Sequence, residues 1–328
     1  MRKFLCMCLV LALCLCLCSC KSSDYKKAMA LFEAGEYEEA IVAFEALADY
    51  KDSVQKIDEC KYGTAVALME SGSYEEAIAA FEAMGEYKDC TQKIEACKTA
   101  ILDIRYDEAI ALMDTNVVLA YEALASLCGH KDSNAMASSL YDDYFATKWK
   151  TVKDGDTIYF GSYEQDNNKG NGQEPIEWIV IGGNDSLKGL MSKYGLFCYP
   201  FERNGNARWG YGADIQKKLN DDFLNQAFSK DEQNLLMKHD GDYVWLPAKD
   251  TVEDVLTTEE MICLPTAYAI EHGALLDGGW WWTMDTKIGD ASYAVSVMNG
   301  RVTATKKDAD FVAVRPVIQV NAYRPKIS

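Results

Sequence analysis

The residues of this 328-residue chain best suited by type and spacing to recognise a ligand are four tryptophans, two arginines and an aspartate. Trp280, Trp281 and Trp282 form an unbroken aromatic string, and Trp209 stands next to Arg208. Aromatic faces stack on sugars and peptide groups, and Arg208 or Arg315 can supply a polar handle. In a strand, however, Trp280 and Trp282 share one face and Trp281 takes the other, so at least one ring must be core. The string therefore reads either as a stacking platform or as packing. Arg315 likewise reads as a handle or as a structural ion pair to Asp214 or Asp285.

Nucleophilic and metal chemistry find less support. There is no GxSxG, no HExxH and no phosphate-binding glycine loop. His239 and His272 are the only histidines after residue 148, too few for a multi-histidine metal centre. Cys198 paired with either would be a nucleophile with its base, though nothing in the spacing brings them together. The stretch Asp166–Gly172 is rich in oxygen ligands but has Asn171 where a calcium-binding EF-hand needs glycine. It reads as a flexible loop, with a calcium site as the alternative. No metal and no cofactor is expected, and binding without catalysis is the favoured class.

The N-terminus reads as an address. Arg2 and Lys3 precede an uncharged, mostly apolar run from Phe4 to Ser19, short for a membrane span but suited to a signal peptide. Leu17-Cys18-Ser19-Cys20 resembles the lipobox of bacterial lipoproteins, with Cys18 in the place of the commoner alanine or serine. The resemblance implies cleavage after residue 19, acylation (palmitate among the chains) of Cys20, and anchorage on the outer face of the cell membrane. Lys21, Ser22 and Ser23 then form a tether.

Charge and composition divide the remainder. Lysine and arginine number 33 against 51 acidic residues, a net charge of −18 that would repel nucleic acid. Residues 24–147 hold 10 basic and 25 acidic side chains, and no proline or tryptophan; they read as helical. Residues 148–328 hold all seven tryptophans and all six prolines, and read as mixed or β-rich. Past Cys20 six cysteines remain, an even number that permits disulfides, although buried thiols are an equal reading.

An internal repeat fills the first part. The stretch 35–46 recurs at 72–83, and Tyr50-Lys51-Asp52-Ser53 recurs as Tyr87-Lys88-Asp89-Cys90, both at an offset of 37. A degenerate third copy runs from Tyr106 to His130-Lys131-Asp132-Ser133. Tyr37, Ala40, Ile41 and Phe44 lie on one face of a helix, and Asp52 or Ser53 can cap the next. The Gly-x-Tyr-x-x-Ala-Ile-x-x-Phe pattern resembles tetratricopeptide repeats, here stretched to 37 residues. The resemblance implies a stalk, a self-association surface or a groove for a partner protein.

In the second part, strands are expected at Thr157–Phe160, Glu174–Ile181 and Gly189–Tyr194, and a helix over Ala213–Leu224. Ser229 with Glu232 reads as a capping box, and Asn299-Gly300 as a hairpin turn. Phe311–Val320 reads as a closing strand interrupted at Pro316. The strings Glu174-Pro175-Ile176-Glu177-Trp178, Leu190-Met191-Ser192-Lys193-Tyr194, Pro265-Thr266-Ala267-Tyr268, Trp280-Trp281-Trp282 and Val314-Arg315-Pro316-Val317, in that order, resemble the bacterial domain-of-unknown-function family 6273. That family is found on surface proteins of Firmicutes behind similar repeats. The pattern departs after the tryptophans, where Thr283-Met284-Asp285 replace a Leu-Arg-Ser-Pro run. More distantly, the closing strings resemble the formylglycine-generating enzyme and C-type-lectin-like folds. Copper oxidation of the former type needs paired cysteines, and Cys198 with Cys263 would be the only candidates.

The expected protein is thus multidomain: signal peptide 1–19, lipidated Cys20 and tether to residue 23, all-α tetratricopeptide-like repeats over 24–147, and an α+β, C-type-lectin-like domain over 148–328. Its expected partners are the membrane, through the lipid, and a glycan or protein ligand. The alternatives are an envelope scaffold acting through the repeats and, less favoured, a Cys-dependent enzyme.

Overall fold

A computed structural model describes residues 21–203, 205 and 207–323. The signal segment and Cys20 lie outside the described residues. No described helix is long and apolar enough to cross a membrane. The architecture is α+β, and the chain divides into two compact units at Ile104/Arg105. The composition changes near residue 148, so the two divisions fall at different places.

The first unit is helical: α1 (residues 21–33), α2 (Tyr37–Glu45), α3 (Ser53–Glu70), α4 (Tyr74–Glu82) and the first part of α5 (Cys90–Leu112). Its core repeats with the sequence. Ala28, Ala40, Phe44 and Cys60 are fully buried in one cluster, and Ala65, Ala77, Phe81 and Cys97, each 37 positions on, are fully buried in the next. The cysteines serve as small apolar side chains; all six described cysteines are free thiols, so the disulfide alternative does not hold among them. Gly63 lets α3 approach Tyr37 closely, because a Cβ there would lie 2.4 Å from its ring.

The Lys-Asp turns have a different role from the one their position implies. The Asp52 side chain makes no capping hydrogen bond to the helix that follows. The Asp52 carboxylate accepts a hydrogen bond from the Tyr25 hydroxyl (2.5 Å), and Asp89 accepts one from Tyr62. In the second unit Asp132 accepts one from Tyr106. The preceding lysine lies over the same ring each time: Lys51 over Tyr25 (4.1 Å), Lys88 over Tyr62 (4.4 Å) and Lys131 over Tyr106 (4.7 Å). Hydrogen bond and cation–π contact together latch each turn to a helix 26 or 27 residues earlier. Each Asp–Tyr pair belongs to one turn of the repeat, a structural reason for the Lys-Asp pair to recur in all three copies.

The second unit opens with the end of α5, then α6 (Val117–Ala125) and α7 (Ser133–Lys148), a hairpin that packs helix to helix. Asn116 caps α6 by accepting from the Leu119 amide (3.1 Å). Two five-stranded sheets follow. One has the antiparallel order β1 (Thr157–Tyr163), β2 (Glu174–Gly183), β3 (Leu187–Ser192), β10 (Val317–Asn321), β5 (Val244–Trp245). The other runs β4 (Phe197–Cys198), β9 (Ala313–Val314), β6 (Trp281–Thr286), β7 (Tyr293–Met298), β8 (Arg301–Lys306), with β6 and β9 parallel. The strands and the Asn299-Gly300 turn, with φ of 51° and 68°, follow the expected pattern. The expected helix over 213–224 is helical from Asp214 to Ala227 but winds wider, as a π-helix, over Lys218–Phe223.

Met191, Trp245 and Val317 of the first sheet pack with Trp281, Val297 and Ala313 of the second, so one core cluster lies between the sheets. Pro316 marks the place where the chain leaves one sheet for the other, because β9 belongs to the second and β10 to the first. The third helical hairpin is welded to the first sheet. The Tyr144 hydroxyl accepts from the Tyr159 amide (2.9 Å), Tyr144 stacks on Tyr121 (3.9 Å), and the Trp149 indole donates to the Asp185 carbonyl (2.8 Å).

Candidate functional site

The tryptophan string is divided by the fold. Trp281 and Trp282 are both fully buried. The Trp281 indole donates to the Met261 carbonyl (2.8 Å) within the inter-sheet core, while Trp282 donates to Tyr199 (2.9 Å) and meets Phe201 edge-on. Alternation does put them on opposite faces, but β6 is the middle strand of its sheet and is covered on both. Neither ring is open to a ligand. Trp280 is half-buried, edge-on to Phe311, and Trp209 is half-buried against the inter-sheet core. These tryptophans therefore occupy separate surroundings, not one platform.

Arg315 is buried, 1% exposed, and its expected carboxylate partners are elsewhere. Its Nε donates to the Ser192 carbonyl (2.7 Å), its Nη1 to the Glu260 carbonyl (2.9 Å), and the guanidinium lies 5.1 Å from the Trp281 ring. It ties β3, the segment before Cys263 and the strand crossover together. Asp214 accepts from the Arg203 amide (3.1 Å), and Asp285 from the Lys249 amide (2.5 Å). Arg208 is exposed and stands near Lys307, whose ammonium is held below its ordinary range by burial and then by that arginine. Of the seven ligand candidates read from the sequence, Trp281, Trp282 and Arg315 are buried, and Arg208 with the partly exposed Trp209, Trp280 and Asp214 remain accessible.

The thiol candidates are not activated. The Cys198 sulfur meets the backbone carbonyl of His272, not its imidazole, whose Nδ1 faces the Tyr268 carbonyl (2.8 Å). Burial, then Asp310, pushes the Cys198 thiol above its ordinary range, opposite to what a nucleophile needs. His239 is stacked on Trp245 (4.9 Å). Cys263 lies in the core with its sulfur against the Lys193 and Leu264 carbonyls.

The loop after β1 is organised around carboxylates. Glu164, Asp166 and Glu174 bring an oxygen each within 4.8 Å of one another. Glu164 and Glu174 are buried, and burial raises both carboxyls above their ordinary range. Backbone amides partly compensate: Asn168 donates to Glu164 (2.9 Å) and Gln165 to Glu174 (2.7 Å). Asn171 bridges Asp166 (2.7 Å) and the Cys128 carbonyl (3.3 Å), tying the loop to the third hairpin. The oxygens are of the kind a hard cation takes. Glu164 and Glu174 stand outside the Asp166–Gly172 stretch and complete the set only through the pairing of β1 with β2.

A cleft of about 540 Å³ opens beside this loop, between α7, the β1–β2 edge and α10 (Lys230–Leu235). Tyr121, Tyr141 and Phe145 supply aromatic surface; Asp142, Asp231 and Glu232 supply carboxylates. Gly161 sits at a bulge in β1 with φ of 69°, where a Cβ would strike the Ala227 carbonyl at 2.6 Å. Its amide donates to Glu232 (3.1 Å), so the Ser229–Glu232 capping box also closes one wall of the cleft. Tyr141, Tyr144, Phe145 and Trp149, at helical spacing on α7 and its C-terminal cap, are the one sequence signal for this site: the earlier repeat copies have no such aromatic face. No family model, no curated protein and no solved structure matches this chain.

Proposed function

We propose that the protein is a lipid-anchored binding protein of the outer cell surface, in which the second unit carries the ligand site and the helical repeats act as a stalk. The cleft between α7, the β1–β2 edge and α10 carries this reading: it is of small-molecule size, with aromatic and polar walls. The unactivated Cys198 supports binding over catalysis. The lipobox-like Leu17–Cys20 string supports anchorage, and the repeated helix pairs support a tetratricopeptide-like reading of the stalk. The two-sheet domain with its buried Trp281 and Arg315 is read as C-type-lectin-like and related to family 6273.

Ser138 is exposed on α7 and lines the cleft, so Ser138→Trp should fill it without touching the core. Titrating the protein with a panel of oligosaccharides, peptides and amines should find saturable binding that Ser138→Trp abolishes. The reading fails if every ligand found binds the variant equally well. A second reading, an envelope scaffold, draws on a groove of about 350 Å³ in the first unit, lined by Phe32, Tyr37, Tyr62 and Gly63. Capture of a defined envelope protein by residues 21–104, lost on Ala67→Trp at an exposed position of the groove, would favour it.

A further inference from the structure

The cleft has a charge character that narrows its ligand. No lysine or arginine lines it, and Asp142, Asp231 and Glu232 make no ion pair among the described residues. Asp142 and Asp231 are exposed, whereas Glu232 is fixed by the Gly161 and Ser229 amides. Two polar atoms of lining residues are buried: the Asn134 side-chain amide oxygen, which has no hydrogen-bond partner, and the Tyr141 hydroxyl, which lies against the Glu232 carboxylate. The first is an acceptor waiting for a donor, which an N–H of a ligand would satisfy. Asn134 also donates weakly to Glu174 (3.4 Å), so the cleft adjoins the Glu164–Asp166–Glu174 cluster and shares its negative potential. Burial and the Glu232 carboxylate together push the Tyr141 phenol well above its ordinary range, a local sign of the same field. Tyr121, Tyr141 and Phe145 add rings whose faces attract a cation.

From this juxtaposition of unpaired carboxylates, orphan acceptor and aromatic rings, we infer that the cleft binds an organic ammonium ion. A neutral sugar would use the rings and the amide but would leave the negative charge of Asp142, Asp231 and Glu232 uncompensated. Either a small polyamine or a lysine side chain of a peptide supplies the required group. The inference rests on the cleft being the ligand site.

The test is calorimetric titration of the protein with spermidine, with a lysine-containing tripeptide blocked at both ends, and with a neutral disaccharide. One or both amines should bind at one site, and Asp142→Asn with Asp231→Asn should weaken that binding by roughly tenfold or more, since each lost charge contact is worth a large part of a tenfold factor. Both substitutions are on exposed side chains and should leave the fold intact. Tighter binding of spermidine identifies a polyamine; tighter binding of the peptide identifies a lysine side chain. Equal amine affinity in the doubly substituted protein would mean diffuse attraction to an acidic surface and would overturn the inference. Failure of both amines to bind would also overturn it. Disaccharide binding that Ser138→Trp abolishes, without amine binding, would sink the ammonium ligand and leave the cleft standing.

Discussion

At the scale of single residues, side chains that look made for recognition are consumed by packing, and turn residues that look local make long-range contacts. Trp282 illustrates the first. Its ring is fully buried and its indole hydrogen-bonded, so Trp282→Ala should destabilise the second unit by about 3–5 kcal/mol, as large aromatic truncations in cores do. Denaturant unfolding checks this; a stable variant with altered binding would instead restore the platform reading. Arg315 makes two charged hydrogen bonds to carbonyls at the sheet crossover. A lysine cannot span both, so Arg315→Lys should cost about 2 kcal/mol by the same measurement. Tyr25 illustrates the second: Tyr25→Phe removes the latch to Asp52 and should cost about 1 kcal/mol in the first unit, seen as a lower urea midpoint.

At the scale of elements, the third helical hairpin changes allegiance. Its sequence continues the repeat, yet α7 carries an aromatic face that the earlier copies lack, and that face packs on β1. Removing it would expose Phe160, strip the Tyr159 amide of the Tyr144 hydroxyl, and take the Asn134 amide from Glu174, which keeps its bond from the Gln165 amide. Residues 105–328 should therefore fold as a cooperative unit, whereas residues 148–328 should be aggregation-prone or unfold at much lower denaturant. Circular dichroism melts of the two fragments compare them directly, and equal stability would remove the hairpin from the unit.

At the scale of the whole molecule, acidity acts in opposite senses on the two units. In the first, the Tyr25 and Tyr62 hydroxyls hold the Asp52 and Asp89 carboxyls below their ordinary range. The stability they give is present above the unfolded carboxylate pKa and is lost as pH falls through the lower folded value. In the second, burial raises Glu164, Glu174 and Asp242. Their folded forms hold a proton more tightly, so that stability is full below the unfolded pKa and is lost as pH rises through the folded value. In chelator, residues 105–328 should melt higher at about pH 5.5 than at about pH 7.5, while residues 21–104 should weaken only at lower pH. A melting temperature of 105–328 that falls on mild acidification would contradict the cost assigned to the buried carboxylates.

The repeat of 37 residues, its helical faces, the strand positions and the turn at Asn299-Gly300 follow from local periodicity and turn chemistry, which act over a few residues and are written along the chain. The charge balance needs no structure either. Three things were decided only by tertiary contact. Both faces of β6 are covered because the inter-sheet core lies against Trp281 and the Tyr199–Phe201 segment against Trp282, a fact that alternation within one strand does not contain. The carboxylates of Glu164, Asp166 and Glu174 converge because an antiparallel register brings the two ends of a loop together. The cleft joins Tyr121, Tyr141, Gly161 and Glu232, residues up to 111 positions apart, and a long-range assembly of that kind leaves only its aromatic helix face to be read beforehand.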